Sequence, residues 1–121
     1  MVEINAYSKA KDGGKKLSAN FTVKEFACKD GSDAVLTAPR LVMVLQSIRS
    51  HFAAPVVIHS AYRTPQYNAK VGGASHSQHC YGTAADISVK GQTPAAVAAY
   101  ARDLMPDWGG VGVYAGQGFT H

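Results

Sequence analysis

Ser75-His76-Ser77-Gln78-His79-Cys80-Tyr81-Gly82-Thr83-Ala84-Ala85-Asp86 is the stretch that decides how this chain is read. His79 and Asp86 stand seven residues apart, with Gly82 between them to allow a tight turn. Gly82, Thr83, Ala84 and Ala85 are small and let the backbone pass close to a bound centre. From Ala84 to Val89 the residues alternate as in a strand: Ala85, Ile87 and Val89 fall on one face, and Ala84, Asp86 and Ser88 on the other. Asp86 is therefore expected to point away from the core, into a cleft or onto a sheet face. An imidazole and a carboxylate converging across a turn suit Zn2+, which takes nitrogen and oxygen donors. A hydrolytic zinc needs a third protein ligand and an open position. His121, at the end of a predicted closing hairpin, is the best third candidate. The competing reading of His79 is a loop histidine with no metal, and the residues alone leave both open.

The flanking segments supply a scaffold. Pro55-Val-Val-Ile-His-Ser60 is rich in β-branched residues and reads as a strand. Thr37 to Phe52 reads as a helix, with Thr37 as cap, Pro39 in the first turn and Leu41, Val44, Leu45, Ile48 and Phe52 on one face. Thr93-Pro94 opens a second helix that Pro106 closes, and Val111 to Tyr114 with Phe119 to His121 reads as a hairpin. Thr22-Val-Lys-Glu25 is a capping box, with Phe21 and Phe26 as a hydrophobic staple. Residues 1–16, with four lysines and Gly13-Gly14, read as an arm or hairpin. The order of elements predicts an α+β domain: a small antiparallel sheet flanked by helices.

At 121 residues the chain is one domain of ordinary size. Apolar residues at 46% and charged residues at 17% exclude a disordered or fibrous chain. No apolar run approaches a membrane span, so no membrane insertion is expected. Met1 to Lys16 has no apolar core of a signal peptide. The net charge of +4 favours an anionic partner without choosing between nucleic acid and a cell-wall polymer. The lysines cluster near the N-terminus without interleaved aromatics, so a nucleic-acid binder is the weakest reading. Cys28 and Cys80 match no zinc-knuckle or redox spacing and are expected to be free thiols.

Ser77-x-His79-x-x-Gly82-x-Ala84-x-Asp86 resembles the SxHxxGxAxD signature of the zinc D-Ala-D-Ala carboxypeptidase family, peptidase family M15, which shares its fold with the hedgehog signalling domain. Ser60-Ala-Tyr-Arg63-Thr-Pro-x-Tyr-Asn68, followed by Gly72-Gly73, is similar to that family's SGYR-x-P-x-x-N segment. Asn20-Phe21 with Glu25-Phe26, Gly109-Gly-Val-Gly-Val-Tyr114 and Phe119-x-His121 resemble three further segments, all in order over residues 17–121. The resemblance implies that His79, Asp86 and His121 hold zinc. It implies that Arg63 binds the substrate's terminal carboxylate or the developing oxyanion, for which its forked donors are suited. Ser77 is expected to orient a ligand or contact substrate, with a plain turn hydroxyl as the alternative.

The general base is where the chain departs from the family. Branches of the family place a carboxylate three residues before the last zinc histidine, or a histidine two before it. Gly118 and Phe119 stand there, and neither titrates. The family segment usually continues as HxD, so a 17–121 peptidase domain shortened at its C-terminus is expected. His59 and His76 are spare candidates for the base, each more simply a strand or loop residue. His51 ends a helix, where a cation suits the dipole. Asp107-Trp108 is placed near the cleft or in the core with equal weight. The implied function is a zinc-dependent peptidoglycan peptidase cutting D-Ala-D-Ala or a related stem-peptide or cross-bridge bond. Such a chain would be a monomer made in the cytoplasm that acts at the wall, as in phage or prophage lysis or on a phage tail. The alternative is a wall-binding module that keeps zinc and has lost catalysis.

Overall fold

The structure, a computed structural model, describes residues 3–73, 77–104, 113–114 and 119–120, the last four by their backbone. The apolar stripe of the first predicted helix folds as α2 (Pro39–Phe52), which buries Val42, Val44, Leu45 and Ile48. Its start differs from expectation. Thr37 belongs to the strand β4 (Ala34–Thr37), because it pairs with Asn5, and Ala38 takes the cap position without a side-chain bond. Pro39 at the first helical position removes one N–H that would otherwise lack a partner. Thr37 is only 2% exposed, and its Oγ1 has no hydrogen-bond partner among the described residues.

Within residues 1–16 the described part is neither a loose arm nor a hairpin on itself. Strand β1 (Asn5–Ser8) pairs antiparallel with β4, from Asn5 opposite Thr37 to Ser8 opposite Ala34. A short helix, α1 (Lys9–Asp12), follows. Asp33 is the physical reason. Its carboxylate accepts from the Ser8 hydroxyl at 2.7 Å and the Ala10 N–H at 2.8 Å, and its carbonyl accepts from the Lys9 N–H at 2.7 Å. Those donors favour the anion and hold the carboxyl below its ordinary 3.8.

Strands β2 (Lys16–Ser18) and β3 (Phe21–Thr22) form a second small ladder that leads into a 3-10 turn, Val23–Phe26. The predicted box and staple are both present there. The Glu25 carboxylate accepts from the Thr22 N–H at 2.6 Å, and the buried Phe21 and Phe26 rings lie 6.3 Å apart.

The main sheet has four strands in the order β5 (Val56–Ser60), β6 (Asp86–Val89), β8 (Phe119–Thr120), β7 (Val113–Tyr114). All its neighbours are antiparallel. The alternation read from the sequence holds in β6: Ala85, Ile87 and Val89 join the core, and Asp86 lies on the opposite face. Helix α3 (Pro65–Lys70) follows β5. Helix α4 (Pro94–Leu104) starts where Thr93 Oγ1 accepts from the Ala96 N–H at 3.1 Å, and it buries Val97, Ala98 and Ala101. His51, expected to serve the dipole of α2, stacks on Tyr100 of α4 at 3.8 Å. The core thus draws on α2, α4, the sheet and the Phe21–Phe26 segment. Among the described residues no helix is long and apolar enough to cross a membrane.

Two outcomes follow for stability. Asp33 is depressed on folding, so its contribution is complete above 3.8 and is lost as pH falls through its lower folded value. Asp33→Asn should therefore lower the melting temperature at pH 7, and the gap to wild type should close on acidification below about pH 4. Thr37→Val removes a buried hydroxyl that has no partner while keeping its shape. Thermal denaturation should show no loss, and a gain of up to about 1 kcal/mol.

Candidate metal and substrate site

The turn that carries His79 is built by local rules. Ser77 caps a 3-10 turn, Gln78–Tyr81, by accepting from the His79 N–H at 3.2 Å. Gly82 ends it with φ 74°, in the left-handed region that favours glycine. Space makes the same demand. A Cβ on Gly82 would sit 2.5 Å from the Leu36 carbonyl oxygen. The Gly82 carbonyl accepts from the Ala38 N–H at 2.9 Å, which ties the turn to the junction of β4 and α2.

His79 leaves that turn 2% exposed. Its Nδ1 lies 2.6 Å from the Ala61 carbonyl oxygen. A carbonyl only accepts, so Nδ1 carries a proton and Nε2 is the nitrogen left to face a ligand. Nε2 faces Asp86 Oδ2 at 3.4 Å, and Asp86 is 6% exposed. An imidazole fixed by a carbonyl on one nitrogen, with the other turned to a buried carboxylate, is the donor chemistry that zinc takes. His79 and Asp86 therefore fit a zinc ion. The third predicted ligand, His121, lies outside the described residues, as do His76, Gly118, Asp107 and Trp108. Among the described residues no group of three His, Cys, Asp or Glu is gathered around a metal position. The neighbouring Thr120 pairs with Ile87.

Arg63 reaches the same carboxylate, with Nη2 at 3.5 Å from Asp86 Oδ2. Its guanidinium is aimed by two further bonds, Nε to Ser60 Oγ at 3.1 Å and Nη1 to Asn68 Oδ1 at 3.3 Å. Its backbone N–H donates to the His79 carbonyl at 3.0 Å, so Arg63 and His79 are positioned by one another. Ser60 and Asn68 belong to the SGYR-like segment, and their role emerges only in the fold. The signal was their spacing, three before and five after Arg63. Asn68 is buried on α3, and a Cβ on Gly73 would meet its Oδ1, which explains the glycine there.

Arg63 stands on a braced segment. The Tyr62 N–H donates to the Phe26 carbonyl at 3.1 Å. The Thr64 N–H donates to Cys28 Sγ at 3.5 Å, and the Thr64 hydroxyl donates to Asp30 at 2.7 Å. Bonds from Ser32 and Thr64 hold the Asp30 carboxyl well below the usual carboxylate range. Burial raises the Tyr62 phenol above its ordinary 10.0. Cys28 and Cys80 are both unbridged. His59, a spare candidate for the base, is exposed on β5 with Nε2 2.8 Å from Ser88 Oγ.

In this small α+β domain an imidazole and a guanidinium converge on one buried carboxylate, a grouping compatible with a metal-dependent hydrolase. The family model described as Peptidase M15 matches residues 17–121, and the chain belongs to the peptidase M15 family. No curated protein and no solved structure matches the chain.

Gly82 offers a direct check on this construction. Gly91 also has a positive φ, 79°, but a Cβ there would meet nothing within 4 Å. Gly91→Ala should cost about 1–2 kcal/mol for the left-handed backbone alone. Gly82→Ala should cost clearly more in urea denaturation, because the Leu36 carbonyl must also move.

Proposed function

We propose that the chain is a zinc-dependent peptidoglycan peptidase. It hydrolyses D-Ala-D-Ala or a neighbouring stem-peptide or cross-bridge amide bond, and it serves phage or prophage lysis or a tail-associated hydrolase. The orientation of His79 carries this reading: Nδ1 is locked by Ala61 at 2.6 Å, and Nε2 is turned to Asp86 at 3.4 Å. His79 and Asp86 would hold the ion, with His121 as the third ligand that the family resemblance implies.

Zinc bound there would polarise the scissile carbonyl and make a water acidic enough to attack near neutral pH. The chain's own residues do the rest. Ala61 fixes the tautomer and angle of His79. Arg63, oriented by Ser60 and Asn68, offers two parallel donors to a terminal carboxylate or to the oxygen that gains charge. Burial of His79 and Asp86 limits competing water and strengthens every charge interaction in the pocket. The basic balance of the chain, 12 Lys and Arg against 8 Asp and Glu, favours approach to an anionic wall. A wall-binding module without catalysis is the second reading, favoured by Gly118 and Phe119 where family branches carry a base.

Elemental analysis should find zinc near one per chain in the wild type and little in His79→Ala. A wild-type chain that takes up no zinc after reconstitution overturns the metal site. Zinc-loaded chain should release D-Ala or cut a cross-bridge in muropeptides. Tight muropeptide binding with no cleavage at saturating zinc would select the binding module. Arg63→Lys should keep zinc and lose about 10²-fold or more in kcat/KM, because the forked geometry is gone.

A further inference from the structure

A second cavity lies away from the His79 turn. It encloses about 520 Å³, within the range of small-molecule sites. One wall is the face of α2 that the core does not use, where Met43, Gln46, Ser47 and Ser50 recur at helical spacing. The opposite wall comes from Asn5 and Tyr7 of β1 with part of β2. The family match begins at residue 17, so Asn5 and Tyr7 lie outside the matched region.

The cavity is preformed. Gln46 spans it and ties the walls together: its Oε1 accepts from the Ser18 hydroxyl at 2.6 Å and the Asn20 N–H at 2.9 Å, and its Nε2 donates to Asn20 Oδ1 at 2.8 Å. The Tyr7 hydroxyl accepts from Asn5 Nδ2 at 3.4 Å, and the Lys15 ammonium sits 5.6 Å from the Tyr7 ring centroid. A groove fixed before binding spends little affinity on ordering itself.

Its chemistry selects the ligand. Among the described residues that line it, none carries a formal charge, in a chain with 12 basic and 8 acidic residues. A peptide terminus or a phosphate polymer would find no counter-ion among those lining residues, and the Lys15 ammonium sits over the Tyr7 ring without being part of the lining. Amides, hydroxyls, a tyrosine ring and the 59%-exposed Met43 match a neutral ligand that mixes hydroxyl and acetamido groups with apolar C–H faces. We infer that this groove binds N-acetylated amino-sugar units of a glycan strand, so that the chain grips the sugar backbone of the wall separately from the peptide it cuts. The choice of an N-acetylated sugar among neutral saccharides rests on the peptidoglycan reading above.

The probe is a soluble β-1,4-linked tetramer of N-acetylglucosamine, titrated into the full chain by calorimetry and by amide NMR. Saturable binding is expected, with shifts confined to residues 5–7, 17–18 and 37–50. Ser47→Arg, which fills the groove, should weaken binding tenfold or more. His79→Ala, which abolishes the metal site, should bind the tetramer as the wild type does, so a failure of the peptidase reading remains separate from a failure of this one. Absence of binding at millimolar tetramer overturns the inference. So do shifts centred on residues 77–86, displacement by a sugar-free D-Ala-D-Ala peptide, or a dimer sealed through this face in sedimentation. The NMR map on the wild type decides the matter even where Ser47→Arg fails to fold.

Discussion

The hydrogen bond from His79 Nδ1 to the Ala61 carbonyl, at 2.6 Å, is the contact on which the site depends. It joins two segments far apart in sequence: the exit of β5, and the turn that leads to β6. Without it His79 would choose its own tautomer and angle, and Nε2 would have no fixed direction. The same two segments are stitched a second time by the backbone, where the Arg63 N–H donates to the His79 carbonyl at 3.0 Å. One short stretch, 60–64, therefore aims both the imidazole and the guanidinium. Its own position is held from the other side by Phe26, Cys28 and Asp30. That explains why a staple near residue 21 belongs to the same construction as the turn near residue 79. Phe21 and Phe26 anchor the core end of a chain of bonds whose other end is Nε2.

Much of this was legible in the sequence because the rules involved are local. The period of α2, the alternation in β6, the box at Thr22 and the need for Gly82 all act within a few residues of one another. The misplaced features depend on partners distant in sequence. Thr37 looked like a helix cap, but pairing with Asn5 draws it into β4, and nothing near Thr37 announces that partner. Residues 1–16 looked loose because their lysines and glycines carry no periodicity, while what orders the described part is Asp33, 25 residues beyond Ser8. Ser60 and Asn68 lay inside a recognised motif. Their task of steering a guanidinium became visible only with the fold, because a turn and a short helix bring them to opposite ends of Arg63.

Asp86 shows how the site accommodates opposing demands. Its carboxylate is almost buried and faces both Arg63 and the imidazole through the same oxygen, Oδ2. A buried carboxylate alone is costly, and a cation beside it offsets the desolvation. Arg63 thus stands as the cation that accompanies Asp86 within the fold, with Ser60 and Asn68 holding its other two nitrogens. The register irregularity between Ile58 and Ser60, opposite Asp86, is where β5 departs from a regular ladder. Such irregularities re-aim side chains, and here the strand must turn from sheet geometry into the segment that carries Arg63.

Helix α2 links the two halves of the molecule because both of its faces are used. Val44, Leu45 and Ile48 enter the core, while Gln46 and Ser47 face the ladders of β1 and β2. A helix with only one task would present a charged outer face, the usual pattern for a small domain. Here the part of that face turned to the cavity, Met43, Gln46, Ser47 and Ser50, is amide, hydroxyl and thioether, and Gln46 alone makes three bonds with Ser18 and Asn20. Asn20 belongs to the segment that resembles the family, whereas Asn5 and Tyr7 precede the family match. Gln46 thus holds one wall rigid within the matched region, and strand β1, locked by Asp33, closes the other. Strand β4 lies between this cavity and the turn that carries His79. The cavity and the His79 turn thus share a strand, with Thr37 on the cavity side and the Leu36 backbone against Gly82.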